Sequence, residues 1–280
     1  MSIRLTILGC GSSGGVPRIG NDWGQCDPKE PKNRRRRCAL LVEKIGNNGT
    51  TTVLIDTGPD LREQLLSANV NRLDAVLYTH AHADHLHGID DLRALMVHSG
   101  RRTPVFMDTF TFDRAYTAFS YCFETPEGSN YPPILDHQPI DLGSAVHVSG
   151  PGGELYFEPI KVGHGDIPAL GFRIDNAAYI PDVSDIPDSS FRLLNKLDLL
   201  ILDCLRRRPH PSHFCLDDAL EWTKRLSPRR TIFTNLHNDL DYQELTCELP
   251  ETIEPAFDGQ QLFLDNSALG NIRQDTVHAG

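Results

Sequence analysis

The feature that most limits what this chain can become is an apolar run that ends in a crowd of metal-binding side chains. Residues 75–78, Ala-Val-Leu-Tyr, read as a buried strand, and Thr79-His80-Ala81-His82-Ala83-Asp84-His85 follows directly. Core packing gives no reason for three imidazoles and a carboxylate at the end of a strand. Neutral imidazole and carboxylate are, however, common ligands of divalent transition ions. The fold must therefore bring further partners to this point from elsewhere in the chain.

Other apolar runs end in the same way. Residues 155–162 lead to His164, 178–180 to Asp182, 232–233 to His237, and 199–202 to Asp203 and then His213. In α/β sheets, sites gather beyond the carboxyl ends of the strands, so residues far apart in sequence can converge. A closed zinc site uses four ligands. His80, His82, Asp84, His85, His164, Asp182 and His237 exceed that number. They suit two ions, about 3.5–4 Å apart in two-metal hydrolases, with one carboxylate shared. An all-His/Asp set accepts zinc, manganese or iron.

Between these ends, strand-like and helical stretches alternate without a break in composition, which predicts one layered α/β domain over residues 1–280. Strands are expected at 3–9, 38–42, 52–55, 103–107, 145–148, 155–162, 170–174, 178–180, 199–202 and 231–233. Helices are expected at 61–68, 86–97, 109–123, 191–194 and 216–226. Residues 124–139 read as a long loop, a candidate rim or lid. The glycine-rich segment 9–17 is either a plain tight turn or a turn that also lines the site; it has no phosphate-loop consensus. The arginine runs 34–37 and 206–208 read as solvated, with phosphate contact as the less favoured alternative. Asp56 reads as a helix cap or as a group that orients a metal-bound histidine. His87, His98, His137, His147, His210 and His278 lack matching partners and read as surface or packing residues.

A formal net charge of −11 argues against a broad nucleic-acid surface or an anionic membrane as the main partner. The apolar runs are too short to span a bilayer. Seven cysteines without a CxxC pair read as reduced thiols rather than a disulfide framework. Together with an opening, residues 1–9, that reads as strand rather than leader, they set the expectation of a cytoplasmic protein.

The run His80-Ala81-His82-Ala83-Asp84-His85 resembles the signature of the metallo-β-lactamase superfamily, and segment 8–17, Asp56-Thr57-Gly58, His164, Asp182 and Asn235-Leu236-His237 extend the resemblance across most of the chain. Segment 8–17 and the Asp203-Cys204 … His213 stretch are similar to its phosphodiesterase branch. That branch holds tRNA 3′-processing endonucleases and the cyclic-phosphate phosphodiesterase of the carbon–phosphorus lyase pathway, the better match of the two. The resemblance implies a four-layer αβ/βα sandwich of two mixed β-sheets flanked by helices. It implies that His80, His82 and His164 hold one ion, that Asp84, His85 and His237 hold the other, that Asp182 bridges them and that Asp56 stands behind a ligand. His213 would lie beside the scissile phosphate, which makes His213 and Asp84 the catalytic candidates.

Two divalent ions, zinc or manganese, would lower the pKa of a shared water and supply a bridging hydroxide at ordinary pH. The expected substrate is a small nucleotide or sugar phosphodiester, cyclic forms included. The main alternative is a carbon-centred hydrolase of thioesters, lactones or β-lactams. The charge and the lack of a long basic insertion disfavour a tRNA nuclease, and His82 stands where di-iron redox relatives carry glutamate. The oligomeric state stays open, a homodimer included. One departure is expected. The pathway enzyme has a structural zinc held by a cysteine cluster and a later histidine, whereas here Cys26 stands alone and residues 238–240 supply no histidine.

Overall fold

The computed structural model describes residues 2–265. The first half runs β1 (Ser2–Gly9), β2 (Ala39–Gly46), β3 (Gly49–Ile55), α1 (Leu61–Ser67), β4 (Ala75–Leu77), α2 (Ala83–Leu86), α3 (Arg93–Ser99), β5 (Thr103–Met107), α4 (Thr109–Phe123) and β6 (Leu135–Pro139). The second half runs β7 (Val146–Val148), β8 (Leu155–His164), β9 (Ile167–Ile174), β10 (Ala177–Ile180), α5 (Asp188–Phe191), β11 (Leu199–Asp203), α6 (Leu216–Leu226), β12 (Arg230–Thr234), α7 (Tyr242–Glu248), β13 (Ile253–Pro255) and β14 (Gln261–Asp265).

These strands form two seven-stranded sheets, ordered β14-β1-β2-β3-β4-β5-β6 and β13-β12-β11-β10-β9-β8-β7. Each sheet is mixed. The first is antiparallel from β14 to β3 and parallel from β3 to β6. The second is antiparallel from β7 to β10 and parallel from β10 to β13. This is the αβ/βα sandwich that the resemblance implied.

Period-two alternation sets the layers. Ala75 and Leu77 of β4 enter the core between the sheets, while Val76 faces the outer helices. Leu199 and Ile201 of β11 likewise enter the central core, and Leu200 and Leu202 face outward. Strands covered on both faces read as continuous apolar runs, which is why both were conspicuous in the sequence. Leu61, Leu65, Leu86, Ile89 and Ala115 cover the first sheet, and Leu216, Ala219, Leu226 and Leu245 cover the second. Burying each leucine or isoleucine among them stabilises the fold by about 1.5–3 kcal/mol.

Several boundaries fall where the patterns place them, among them β5, α4 and α6. Others differ. Residues 86–97 are not one helix: α2 stops at Leu86, a 3-10 turn occupies Ile89–Leu92, and α3 follows. Gly88 lies at the break, where a Cβ would come within 2.1 Å of the Gly58 carbonyl oxygen. Close packing against the β3–α1 connection overrides the helical spacing. Residues 124–139 are not all loop, since the last five form β6 along the edge of the first sheet. Helix α7 and strands β13 and β14 have no counterpart in the sequence reading, being short or weakly patterned. His278 lies outside the described residues. Among the described residues no helix is long and apolar enough to cross a membrane.

Candidate metal centre

The strands deliver the predicted side chains to one edge of the sandwich. After β4 the chain turns at His82, whose extended backbone (φ −65°, ψ 150°) opens α2. The turn separates His80 and His82 from Asp84 and His85. His164 closes β8, Asp182 follows β10, Asp203 closes β11, and Asn235 and His237 follow β12. Two non-glycine residues at these ends adopt left-handed backbone, Asp56 after β3 (φ 68°) and Asn235 after β12 (φ 61°). Such conformations are uncommon and collect at functional sites. Each of these residues turns a polar side chain toward the cluster.

His80, His82, His164 and Asp182 come together, with ligand atoms within 4.8 Å of one another. His80, His164 and Asp182 are buried and His82 is exposed, so the group opens to solvent on one side. Hydrogen bonds behind the rings fix the tautomers. The Thr79 hydroxyl donates to Asp56 Oδ2 at 2.8 Å and accepts from His80 Nδ1 at 2.9 Å. His164 Nδ1 donates to the Ser212 carbonyl at 2.7 Å. His80 Nε2 and His164 Nε2 are therefore lone pairs, and each lies 3.1 Å from His82 Nδ1. One N–H on His82 satisfies only one of them. Burial, the largest influence, holds His80, His82 and His164 below the ordinary imidazole range and so neutral, as ligands must be.

The second group is arranged around His85. Its Nδ1 donates to Asp56 Oδ2 at 2.8 Å, and its fully buried Nε2 has no hydrogen-bond donor opposite it. That nitrogen instead faces Asp182 Oδ1 at 3.2 Å and Asp84 Oδ2 at 3.5 Å, and these carboxylates with Asp56 raise His85 well above the ordinary imidazole range against the effect of burial. Only a cation between them, a proton or a metal ion, relieves this arrangement. The two oxygens of Asp182 face different partners. Oδ2 lies 3.6 Å from both His80 Nε2 and His164 Nε2, while Oδ1 faces His85. Orphaned lone pairs, neutral imidazoles and a carboxylate with one oxygen on each side fit two divalent ions.

His237 is placed differently. Its Nδ1 meets Asp239 Oδ1 at 3.1 Å, and its Nε2 accepts from the guanidinium of Arg18. It is half-buried and stands apart from the four-residue group.

His213 lies beside the cluster. Its ring centroid is 4.7 Å from that of His164, and its Nδ1 is 3.9 Å from Asp182 Oδ2. Nδ1 donates to Asp203 Oδ2 at 2.8 Å, which leaves Nε2 without a hydrogen-bond partner among the described residues. Asn235 Nδ2 donates to Asp203 Oδ1 at 3.0 Å and reaches Asp182 Oδ1 at 3.3 Å. Burial pushes the Asp203 carboxyl up to about 7. Burial alone would lower His213, but its bond to Asp203 and the nearby carboxylates raise it.

The remaining readings divide. Asp56 orients His85 and, through Thr79, His80; it does not cap α1, whose N-cap is Asp60. The glycine-rich segment is the seat of the arginine run: a Cβ at Gly9 would lie 2.0 Å from the Arg37 carbonyl oxygen, and one at Gly11 would lie 2.9 Å from Arg35 Cβ. Arg36 pairs with Asp258 and Arg37 with Asp60. Arg35, expected in a solvated run, is 2% exposed and donates to the carbonyls of Leu240 (2.7 Å) and His237 (3.1 Å). Cys26 bonds the Leu240 carbonyl and lies 3.9 Å from Arg35. Arg206 is spent on carbonyls of its own loop and Arg207 on Glu248. His210, read as surface or packing, lies 5.0 Å from the His213 ring. Arg18 and the Ser212 carbonyl have no marker in the sequence reading, and Asn235 entered it only as part of the Asn235-Leu236-His237 stretch.

A family model described as a beta-lactamase superfamily domain matches residues 51–235. The crystal structure of a diphosphatase from the PhnP family aligns with a TM-score of 0.84 at 37% identity, covering 94% of this chain and 98% of that one. YhfI of Bacillus subtilis, a metallo-beta-lactamase fold protein, aligns with a TM-score of 0.68 at 18% identity over 94% of this chain and all of that one, a likeness of fold. An octanoyltransferase of Porphyromonas gingivalis (strain ATCC BAA-308 / W83) is 31% identical over 95% of this chain. The chain spans about half, 53%, of that protein's length, so its name describes a longer polypeptide.

Proposed function

The chain belongs to the β-lactamase superfamily, and we propose that it is a dimetal-dependent hydrolase of small phosphodiesters. The observation that carries this reading is the His213–Asp203 pair, with His213 Nε2 left free, beside a cluster with ligands for two ions. His80, His82 and His164 would hold one ion, Asp84, His85 and His237 the other, and Asp182 both. Two ions bound there supply a nucleophile at neutral pH and neutralise charge on the phosphoryl oxygens.

The chain's own residues supply the rest. Thr79, Asp56 and the Ser212 carbonyl hold three imidazoles with Nε2 inward, so no ring has to reorient as a ligand arrives. Asn235 ties Asp203 to Asp182 and keeps the acid in register with the ligand set. An alkoxide is a poor leaving group, and proton donation by a positioned side chain is worth about 10²–10⁴-fold. His213 Nε2–H is the available donor, with Asp203 stabilising the imidazolium behind it. A diphosphatase from the PhnP family as a structural relative at 37% identity supports phosphorus rather than carbon as the centre attacked.

The test is a substrate panel run on protein with measured metal content. Bis-p-nitrophenyl phosphate and adenosine 2′,3′-cyclic phosphate should be hydrolysed, and a chromogenic β-lactam and an acyl thioester should not. Turnover of the carbon esters with no phosphodiester turnover would sink the proposal.

A further inference from the structure

We propose that His210 is a specificity-determining residue that binds the leaving alcohol of the substrate: its Nε2–H donates to an oxygen of that alcohol beside the leaving oxygen, so that sugar phosphodiesters are preferred to diesters of plain alcohols. This rests on the phosphodiesterase reading above and names the substrate class within it.

The loop between β11 and α6 holds His210 firmly. Leu205 N donates to the Phe214 carbonyl at 2.9 Å and Leu216 N to the Arg206 carbonyl at 2.9 Å, which closes the base of the loop. The Arg206 guanidinium clasps it from within, donating to the carbonyls of Arg208 at 3.1 Å and Pro209 at 2.7 Å. Pro209 and Pro211 flank His210 and restrict the backbone on both sides of it. Gly165, just after β8, lets the loop pack closely, since a Cβ there would lie 3.0 Å from Ser212 Cβ.

Ser212 sets the neighbouring imidazoles. Its carbonyl accepts from His164 Nδ1 at 2.7 Å, and its N–H and hydroxyl donate to His210 Nδ1 at 3.3 and 3.2 Å. A backbone N–H only donates, so His210 Nδ1 carries the lone pair and the ring proton sits on Nε2. Burial, and then the neighbouring His213 and Arg206, hold the half-buried ring below the ordinary imidazole range, so it is neutral in this tautomer. Among the described residues nothing accepts from Nε2.

The rings are chained by contact, His164 to His213 at 4.7 Å and His213 to His210 at 5.0 Å. His210 is thus one ring further along from the ligand His164 than the acid. Two roles are open to an imidazole beside an acid: returning a proton to it, or binding substrate. A relay takes a proton on one nitrogen as it releases one from the other. His210 has no lone pair for that, because Nδ1 is engaged by Ser212 and Nε2 already carries its proton. It donates. With His213 at the leaving oxygen, the group within reach of His210 is the rest of the leaving alcohol. A sugar carries oxygens on the carbons next to the esterified one, and a plain alcohol carries none. Arg206 and Arg207 are engaged within the protein, and a neutral N–H suits a neutral hydroxyl or ring oxygen better than another anion.

The experiment compares methyl β-D-ribofuranoside 2,3-cyclic phosphate with cis-cyclopentane-1,2-diol cyclic phosphate on metal-loaded wild type, His210→Phe and His210→Gln. The two present the same cyclic diester, with and without sugar oxygens beside it. Wild type should favour the sugar ester. His210→Phe keeps a ring and removes the N–H, and there the preference should shrink by about 3- to 10-fold, through KM rather than kcat. His210→Gln offers an amide N–H in its place and should recover part of the preference. Equal losses on both esters, an undiminished preference in His210→Phe, or a loss confined to kcat overturns the assignment. Calorimetric binding of ribose 1-phosphate and methyl phosphate to the same proteins should show the same pattern. If wild type hydrolyses neither ester, the phosphodiesterase reading fails, and the binding pair still decides the role of His210.

Discussion

The two halves of the centre are built by different means. Around His80, His82 and His164, lone pairs already converge, 3.1 Å apart in two places, and the rings are backed by neutral partners, a hydroxyl and a carbonyl. Around His85 the backing group is the buried Asp56 carboxylate, and the third residue, His237, arrives on a loop and is in contact with Arg18 instead. The first half comes from strand ends of two packed sheets. The second depends on how the loop after β12 is held. A preformed half and a loop-dependent half should bind ions with unequal affinity, and each half should fail separately.

The largest effect is expected where the halves meet. Asp182→Ala removes the one carboxylate among the described residues that faces both groups. Even partners behind a ligand are worth roughly 10–100-fold in metal affinity or activity, so the loss should exceed about 100-fold, with both ions lost by metal analysis. Next is His213→Ala, which should lower kcat by about 10²–10⁴-fold with two ions per chain retained. Loss of metal in that variant would make His213 a ligand rather than an acid. Asp56→Asn weakens the second half directly through His85 and the first only through Thr79. Zinc titration should show the second affinity falling by roughly 10–100-fold and the first falling less.

Arg35→Met probes the loop that carries His237. Deleting the guanidinium leaves the Leu240 carbonyl with the Cys26 thiol at 3.5 Å and the His237 carbonyl with the Leu240 amide at 3.2 Å. A hydrogen bond from a charged donor is worth about 1.5–3 kcal/mol, a loss to be read in a denaturant melt, and only the second affinity should drop. The smallest effect is acid sensitivity of the same region. Burial pushes the Asp241 carboxyl up, but the backbone N–H groups of Asp27, Glu244 and Gln243 and the Asn33 amide outweigh it and hold it below the ordinary range. A lowered folded-state pKa gives stability that is complete above the unfolded value, about 3.9, and is lost as pH falls through the folded one. Amide exchange near Asp27 and α7 should therefore quicken below about pH 4 in wild type and be less sensitive to pH in Asp241→Asn.

The same contrast explains how much could be read from sequence. The first half was legible because it is local: an apolar run followed by His80 and His82, then single ligands directly after other apolar runs. Asp203 and His213 were legible as candidates, though not as a pair. The ligand candidates of the loop-dependent half, Asp84, His85 and His237, were legible too, but the supports of its loop were not, because they lie far apart in sequence. Arg35 bonds residues more than 200 positions away, and nothing in a run of four arginines says which one is buried. Arg18 has no motif around it, and the glycines before it gave only conformational freedom until Arg18 and Arg35 were seen against them. Residues 86–97 misled for a related reason: helical spacing is a local signal, and the contact between Gly88 and Gly58 that breaks the helix is not.

Calorimetric titration of metal-free protein with zinc tests the account most directly, with wild type, His164→Ala and His237→Ala run together. Two resolved events are predicted in wild type, the tighter one lost in His164→Ala and the weaker one lost in His237→Ala. A single event in wild type, or loss of the tighter event in His237→Ala, would contradict a centre made of one preformed and one loop-held half.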